Sequence, residues 1–265
     1  MKRKGLFLAF ITLLLTSQAF AGWVMEEVSS YGESEKTTDI RYIQQNKMKS
    51  VGSETFIVDL EKGIFYFIVP EREAYWSGTP EEFRKLMEEG QKMMKEQQLE
   101  SMTPEQREAY KQYMKTREEE TKTVPPKQKV EVKKTSEKAK IAGYSGQKYE
   151  VWVDGKLKED VWVCADIKPQ DEIDIKKLVQ FFETMYKSDE DEGSYKSSPE
   201  YKKIAIYGEK GANLKSITYD EYGMEKSVSE TVKIEKKNIP DSEFEVPKNY
   251  KKLNDEEFIK GMMGQ

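Results

Sequence analysis

Alternating apolar and polar positions predict short β-strands in the first part of the chain. Segments 40–43 and 48–51 predict one hairpin, and segments 56–60 and 64–69 predict a second that is closed by a loop containing Gly63. The last of these strands departs from alternation, because residues 64–69 are apolar or aromatic at every position. We therefore expect this strand to be covered on both faces, either by helices or by a ligand.

Helical spacing replaces the alternation between residues 79 and 122. Segments 79–82 and 103–106 each match a capping box with proline at the first helical position, so each predicts the start of a helix. The apolar residues that share one face of the first helix are Phe83, Leu86, Met87, Gly90, Met93 and Met94. The weaker apolar side of the second helix consists of Ala109, Tyr110, Tyr113 and Met114. We expect a charged helical hairpin inserted between strands, whose apolar face either packs on the sheet or docks another protein.

Strands resume after the hairpin and are interrupted by one apolar helix. The strand 149–153 leads into Asp154-Gly155, a dipeptide typical of tight hairpin turns, and a strand at 161–166 follows. A helix with a strongly apolar face is predicted from an N-cap at Asp171 to Tyr186, buried against the sheet. A short helix is predicted from Asn254 to about Met263. One face of a late strand is predicted to carry Val228, Val232 and Ile234.

The N-terminus has the three regions of a secretory signal peptide. Basic residues at 2–4 precede an apolar run at 6–15, and Ala19-Phe20-Ala21 supplies the small-residue cleavage pattern. The run is shorter than the roughly 20 apolar residues that span a bilayer, and no cysteine follows it for lipidation. We expect cleavage after Ala21 and export to the periplasm; an uncleaved N-terminal anchor is the alternative. No second long apolar run exists in the sequence, so an integral membrane protein is not expected after cleavage.

Composition narrows the classes of function. The formal net charge is −5 and no basic groove is evident, which argues against a nucleic-acid partner. The absence of histidine excludes histidine-based catalytic triads and zinc sites. Cys164 is the only cysteine and lies in an alternating strand, and the acidic segment 189–192 lacks the ligand spacing of a calcium loop. We therefore expect no enzyme, no catalytic residue, no metal and no cofactor.

Several segments occur in the order found in a known group of proteins. These segments are 42–48, 56–63, 141–144, 148–152, 161–163 and 244–250, together with Tyr66, Pro70 and Tyr75. Their order resembles an uncharacterised family of exported bacterial proteins, a domain of unknown function, similar in plan to the LolA/LolB-like lipoprotein carriers. The resemblance covers most of residues 23–253 and implies a curved antiparallel half-barrel with helices over its concave face. In the carriers that cavity takes up acyl chains, although the hairpin at 79–122 is longer than their covering helices.

The expected fold is therefore mainly β with inserted helices, of the α+β class. Residues 1–21 form the signal peptide, residues 22–253 form a single LolA-like domain with the hairpin insertion at 79–122, and residues 254–265 form a C-terminal tail or short helix.

Two functions follow from the surplus of apolar residues. The first is binding or carriage of a lipid, a lipoprotein acyl chain or another hydrophobic ligand. Bulky aromatic residues would line the cavity, namely Phe65, Phe67, Tyr75, Trp76, Trp152, Trp162, Phe181 and Phe182. The same residues could simply fill the core of a closed domain. The second function is an envelope interaction or scaffold module that acts on a partner protein through residues 80–122, without a ligand.

Overall fold

The computed structural model describes residues 22–32, 34–121, 128–186, 195–205, 207–208 and 210–263, so the predicted signal peptide lies outside the described residues. The strands of the described residues are β1 Gly22–Tyr31, β2 Thr37–Gln44, β3 Lys47–Val51, β4 Thr55–Asp59, β5 Ile64–Val69, β6 Ala74–Gly78, β7 Val130–Ile141, β8 Tyr144–Val153, β9 Lys156–Cys164, β10 Tyr207–Gly208, β11 Gly211–Tyr219, β12 Glu225–Lys237 and β13 Lys251–Lys252. The helices are α1 Pro80–Ser101, α2 Pro104–Thr121, α3 Ile175–Met185, α4 Pro199–Lys202 and α5 Asp255–Met262.

All of these strands belong to one open sheet. Its order is β13-β6-β5-β4-β3-β2-β1-β12-β11-β9-β8-β7, with β10 paired to β11 beside this path. Every pair is antiparallel except β13 with β6. Strands β7 and β12 touch although three strands separate them, so the sheet is strongly curled. The predicted fold, a mainly β half-barrel with inserted helices, is confirmed.

The hairpin turns follow from residues that accept a left-handed backbone. Gln45 and Asn46, with φ of 50° and 59°, close β2 and β3. Asp154 and Gly155, with φ of 50° and 79°, close β8 and β9. Positive φ at both central residues matches the right-handed twist of the flanking strands. These two predicted hairpins are therefore confirmed, and the pairing of β4 with β5 confirms the third, whose loop contains Gly63.

The helix starts were predicted correctly for the hairpin and incorrectly for α3. Thr79 accepts a hydrogen bond from the Glu82 backbone N–H, and Thr103 accepts one from the Gln106 backbone N–H. The predicted N-cap Asp171 instead ends a 3₁₀ turn that begins at Pro169. The cap of α3 is Asp174, and it bonds the third N–H of the helix.

A β-bulge in β12 interrupts the apolar face that was predicted for this strand. Thr231 and Lys233 pair with consecutive residues of β1, so Val232 between them has no partner. Val232 is 47% exposed, whereas Ile234 packs on the main core. The prediction that Val228, Val232 and Ile234 share one face was therefore wrong for Val232.

The main core lies between one face of the sheet and helices α1, α3 and α5. It includes Phe65 and Trp76 from the sheet, together with Phe83, Phe181 and Phe258 from the three helices. Strands β7 and β12 approach each other across the curl and both carry residues that pack on this core, so this is the concave face. Two smaller clusters lie on the outer face, one beside α4 and one beneath residues 239–250.

Candidate functional site

Strand β5 is covered by protein on both faces. On the concave face, the Phe65 ring lies 5.0 Å from Phe83 of α1 and the Phe67 ring lies 5.2 Å from Phe258 of α5. On the outer face, Ile68 is buried in the cluster beneath residues 239–250. Helices therefore cover the inner side of this strand and an irregular segment covers the outer side, as its fully apolar sequence requires.

Aromatic rings run without interruption from the sheet to the three covering helices. Neighbouring ring centroids in this network lie between 5.0 and 6.5 Å apart. We call this set the aromatic cluster, and its members are Phe56, Phe65, Phe67, Trp76, Phe83, Phe181, Phe182, Tyr186 and Phe258. Its one indole N–H, from Trp76, donates to Asp255 Oδ1 at 2.8 Å. The interior of the cluster therefore offers ring faces and edges, the surface on which hydrocarbon packs well.

The aromatic cluster reaches the protein surface at the C-terminal end of α3. Phe182 and Tyr186 stack there with their centroids 6.2 Å apart, and the Tyr186 ring meets Phe83 of α1 edge-on. Tyr186 and Val179 are both exposed. Partial burial, aided by the Glu54 carboxylate, raises the pKa of Tyr186 above its usual range. At this α1–α3 seam the apolar interior meets water.

The structure brings together five of the eight residues predicted to line a cavity. Phe65, Phe67, Trp76, Phe181 and Phe182 lie in the aromatic cluster or in contact with it. The other members of the cluster, which sequence reasoning missed, are Phe56, Phe83, Tyr186 and Phe258. The helical spacing of Phe83 and the position of Phe258 in a capped amphipathic helix were the available signals.

The remaining three predicted residues lie elsewhere. The side chain of Tyr75 lies on the opposite side of β6 from Trp76, because successive strand residues alternate. It packs on Tyr66 in the outer cluster beneath residues 239–250. Trp152 lies beneath Lys133 and donates to Glu150. Trp162 belongs to the main core, at its boundary with a group of charged residues. Tyr75 and Trp152 are therefore not part of the aromatic cluster.

Charged side chains replace aromatic ones on the concave face of β8, β9 and β11. Asp160 is buried, and its Oδ2 accepts bonds from Lys148 Nζ at 2.8 Å and from the Tyr219 hydroxyl at 2.9 Å. Burial disfavours the charge on Lys148, but the hydrogen bond and negative charge of Asp160 together with those of Glu137 outweigh this effect and raise the pKa of the amine. Lys148 and Lys215 also lie over the Trp162 ring, 5.2 and 5.6 Å from its centroid. We call these five residues the polar patch.

A second buried carboxylate lies on the outer face. The side chain of Glu159 lies on the opposite side of β9 from Asp160 and is buried. It accepts hydrogen bonds from the hydroxyls of Tyr195 and Tyr201 at 3.4 and 3.3 Å. Burial raises the pKa of Glu159, while the positive charge of Lys196 opposes that shift. This carboxylate connects the segment around α4 to the sheet.

Two clefts of the described residues are small. One of about 270 Å³ lies where α1 and α5 begin, and its lining includes Trp76, Glu82 and Asp255. One of about 200 Å³ lies between α1 and α2, against Leu99 and Tyr110. Ligand pockets usually measure about 300–1,000 Å³. Between the sheet and α1, α3 and α5, the side chains of the main core pack against one another.

The described residues offer neither a metal cluster nor a membrane-spanning helix. Within those ranges, no group of three histidine, cysteine or acidic side chains is placed to hold a metal ion. None of the helices described there is long and apolar enough to cross a bilayer. The acidic segment 189–192 lies outside the described residues.

Comparison with known proteins identifies a family and distant structural relatives. The family model described as a domain of unknown function, DUF4412, matches residues 78–250. No curated protein matches the sequence. Similar structures include an uncharacterised conserved protein from Thermus thermophilus, at a TM-score of 0.42 and 6% identity, with 88% of this chain and 89% of that chain covered.

Two further structures match at similarly low values. The Pseudomonas aeruginosa MucA/MucB complex matches at a TM-score of 0.40 and 7% identity, covering 88% of this chain and 58% of that chain. A LolA superfamily protein from Nitrosomonas europaea matches at a TM-score of 0.24 and 6% identity, covering 86% of this chain and 91% of that chain. Similarity this low carries no argument about function.

Proposed function

The chain belongs to the DUF4412 family, a domain of unknown function, and we propose that it is an exported, non-catalytic carrier of a hydrophobic ligand in the bacterial periplasm. The observation that supports this proposal is the aromatic cluster, held between a curled sheet and three helices and reaching water at the α1–α3 seam. In the arrangement described above, α1, α3 and α5 close the aromatic cluster against the sheet. The ligand is a lipid or a lipoprotein acyl chain.

The energetics favour a chain-like ligand. Burying one CH₂ group contributes about 0.8 kcal/mol, so about ten methylenes contribute about 8 kcal/mol, the scale of micromolar affinity. This gain has to exceed the cost of separating helices from the sheet. Met87 and Met93 of α1 pack at the edge of the main core, and their flexible side chains can repack around a ligand.

Opening is proposed to involve the contact between α1 and α5. A Cβ atom at Gly90 would lie 3.6 Å from Ile259 Cγ2, so the two helices meet closely at this point. Helix α1 continues directly from β6, with only Thr79 between them. Rotation about that junction would lift α1 away from Phe65 and Trp76 and expose the aromatic cluster.

A disulfide between α1 and α5 tests this proposal. A Cβ atom at Gly90 would lie 3.6 and 3.9 Å from the two γ carbons of Ile259, the positions that a sulfur at residue 259 would take, so we expect the double variant G90C/I259C to cross-link. The oxidised protein should lose uptake of a fluorescent fatty acid, and the reduced protein should regain it. The single variants G90C and I259C are the controls. Equal uptake in the oxidised and reduced states would contradict opening at this contact.

A second candidate function, protein docking, is favoured by the outer part of the hairpin. Helix α2 has no extensive contact with the sheet, and Tyr113 on it is 60% exposed. Met94 on the outer part of α1 is also exposed. By contrast, Phe83, Leu86 and Gly90 on the inner part of α1 are buried. The docking surface would therefore be residues 94–116, with the inner part of α1 serving the domain itself.

Site-specific cross-linking tests the docking function. A photo-reactive residue at Tyr113 should capture one discrete partner protein in cells that export the chain. Tyr222, 79% exposed in the β11–β12 turn, is the matched control position. Identical patterns of captured protein at the two positions would argue against a dedicated surface on the hairpin.

A further inference from the structure

Four buried side-chain polar atoms of the described residues lack a hydrogen-bond partner, and two of them belong to one strand, β9, at the edge of the main core. These two are Asp160 Oδ1 and Trp162 Nε1, in residues that are only 3% and 5% exposed. Nearly all buried polar atoms in proteins have a partner, so an unpaired acceptor and an unpaired donor on one strand require an explanation. A polar group of a bound ligand would provide one.

The two atoms belong to side chains on the same face of β9. Asp160 and Trp162 are two residues apart, and strand side chains alternate, so both side chains face the concave side. Lys148 touches both, because its Nζ lies 2.8 Å from Asp160 Oδ2 and 5.2 Å from the centroid of the Trp162 ring. The acceptor and the donor therefore flank the same lysine.

Charges near this pair are already compensated. Lys148 pairs with Asp160 and also approaches Glu137 at 3.5 Å, and Lys215 pairs with Glu230 at 2.6 Å. An anionic group would be repelled by the Asp160 carboxylate, and a cationic group would be repelled by Lys148. A neutral group with one donor and one acceptor, such as a hydroxyl or an amide, matches both unpaired atoms.

The pair is continuous with the aromatic cluster. Trp162 belongs to the same buried core as Phe65 and Phe181. Lys215 covers the ring of Trp162 but is itself partly exposed, so its flexible stem can move aside. One end of an amphipathic molecule could therefore lie against Trp162 while its hydrocarbon chain lies under the helices.

We propose that Asp160 Oδ1 and Trp162 Nε1 bind the neutral hydroxyl or amide head of an acyl ligand whose chain occupies the aromatic cluster. This inference rests on the proposed carrier function and adds the class of ligand. The carrier would then select neutral acyl lipids, such as monoacylglycerols or acyl amides, over ionised fatty acids of the same chain length.

The test compares two probes, 1-monooleoylglycerol and oleate, on three proteins. Trp162→Phe removes the donor and keeps an aromatic ring. Trp23→Phe is the matched control, because Trp23 is equally buried, has an unpaired Nε1 and lies beneath Lys236, but is on β1, which β12 and β11 separate from β9. Wild type should prefer the monoacylglycerol. Trp162→Phe should bind it about five-fold more weakly, the effect of one hydrogen bond, with oleate affinity unchanged. Trp23→Phe should match wild type.

The outcomes separate this inference from the carrier function. Binding of both probes with the same preference in Trp162→Phe as in wild type would overturn the head-group site and leave the carrier function standing. An equal loss for both probes in Trp162→Phe would assign the residue a packing role and also overturn the site. If neither probe binds to wild type, the carrier function fails, and the head-group site fails with it.

Discussion

Truncation of Phe83 tests whether α1 is clamped to the sheet through the aromatic cluster. Phe83 is 3% exposed, and its ring lies 5.0 Å from Phe65, 5.6 Å from Trp76 and 6.5 Å from Phe258. Replacing a buried phenylalanine by alanine costs about 3–5 kcal/mol, through lost burial and the cavity left behind. Because the ring contacts two strands and another helix, we expect Phe83→Ala to lose about 4 kcal/mol.

Urea denaturation measures this loss. The midpoint should fall while the slope with denaturant stays constant, since the surface exposed on unfolding hardly changes. Tyr113→Ala on exposed α2 is the control and should change the free energy of unfolding by less than about 0.5 kcal/mol. A loss below about 1.5 kcal/mol for Phe83→Ala would refute the packing described for α1.

The same variant also tests whether α1 controls access to the aromatic cluster. Removing the ring weakens the attachment of α1 to the sheet, so folded Phe83→Ala should take up a fluorescent fatty acid faster than wild type in stopped-flow mixing. The measurement is made well below the denaturation midpoint, where the folded state dominates. An unchanged uptake rate in a clearly destabilised variant would show that α1 does not control access.

Three further predictions concern stability. Gly211→Ala should lower the free energy of unfolding by several kcal/mol, measured by thermal or urea unfolding. The reason is that Gly211 has a φ of 123° and an added Cβ would collide with the Cys164 carbonyl oxygen. A loss of stability below about 1 kcal/mol would contradict this contact. Glu159 has a folded pKa above its ordinary value of 4.5, so its charge opposes folding at neutral pH and the penalty disappears as pH falls toward 4.5. Glu159→Gln should therefore exceed wild type in stability at pH 7 and converge with it near the ordinary pKa of 4.5, and parallel pH profiles would argue against that effect. Asp174→Ala should lower the free energy of unfolding by about 1 kcal/mol because it removes the N-cap of α3, whereas Asp171→Ala should lower it much less. A larger loss for Asp171→Ala than for Asp174→Ala would instead favour Asp171 as the N-cap.

Local chemistry accounts for the elements that were predicted correctly from the sequence. The turns at Asn46 and Asp154-Gly155 and the capping boxes at Thr79 and Thr103 depend on neighbouring residues alone. The fully apolar β5 likewise indicated two covered faces. The family expectation was confirmed by the match to a domain of unknown function.

Features that depend on distant residues were missed. The unpaired Val232 arises from the register between β12 and β1, which the periodicity of β12 alone does not contain. The Pro169–Asp171 turn shifts the start of α3 to Asp174, because it inserts residues between the strand and the helix. The placement of Tyr75 is different, because local alternation along the strand already puts it on the opposite side from Trp76.

In the candidate site, too, some features follow from local sequence and others depend on distant residues. The aromatic residues of β5, β6 and α3 were identifiable by their density, but Phe258 joins them only because β13 places α5 beside β6. The unpaired atoms of Asp160 and Trp162 are visible only once the pairing of β8, β9 and β11 is known. Residue types therefore indicated an apolar interior, and the topology determined which side chains meet.

The most direct test of the carrier function is mass spectrometry of lipid extracted from the protein after purification from the periplasm without detergent. We expect acyl-chain species in reproducible stoichiometry with the protein, enriched in lipids with neutral head groups. The oxidised G90C/I259C protein should carry a smaller amount of these lipids than wild type. Repeated extracts that contain no acyl species, together with no uptake of monooleoylglycerol or oleate by the purified protein, would contradict the carrier function.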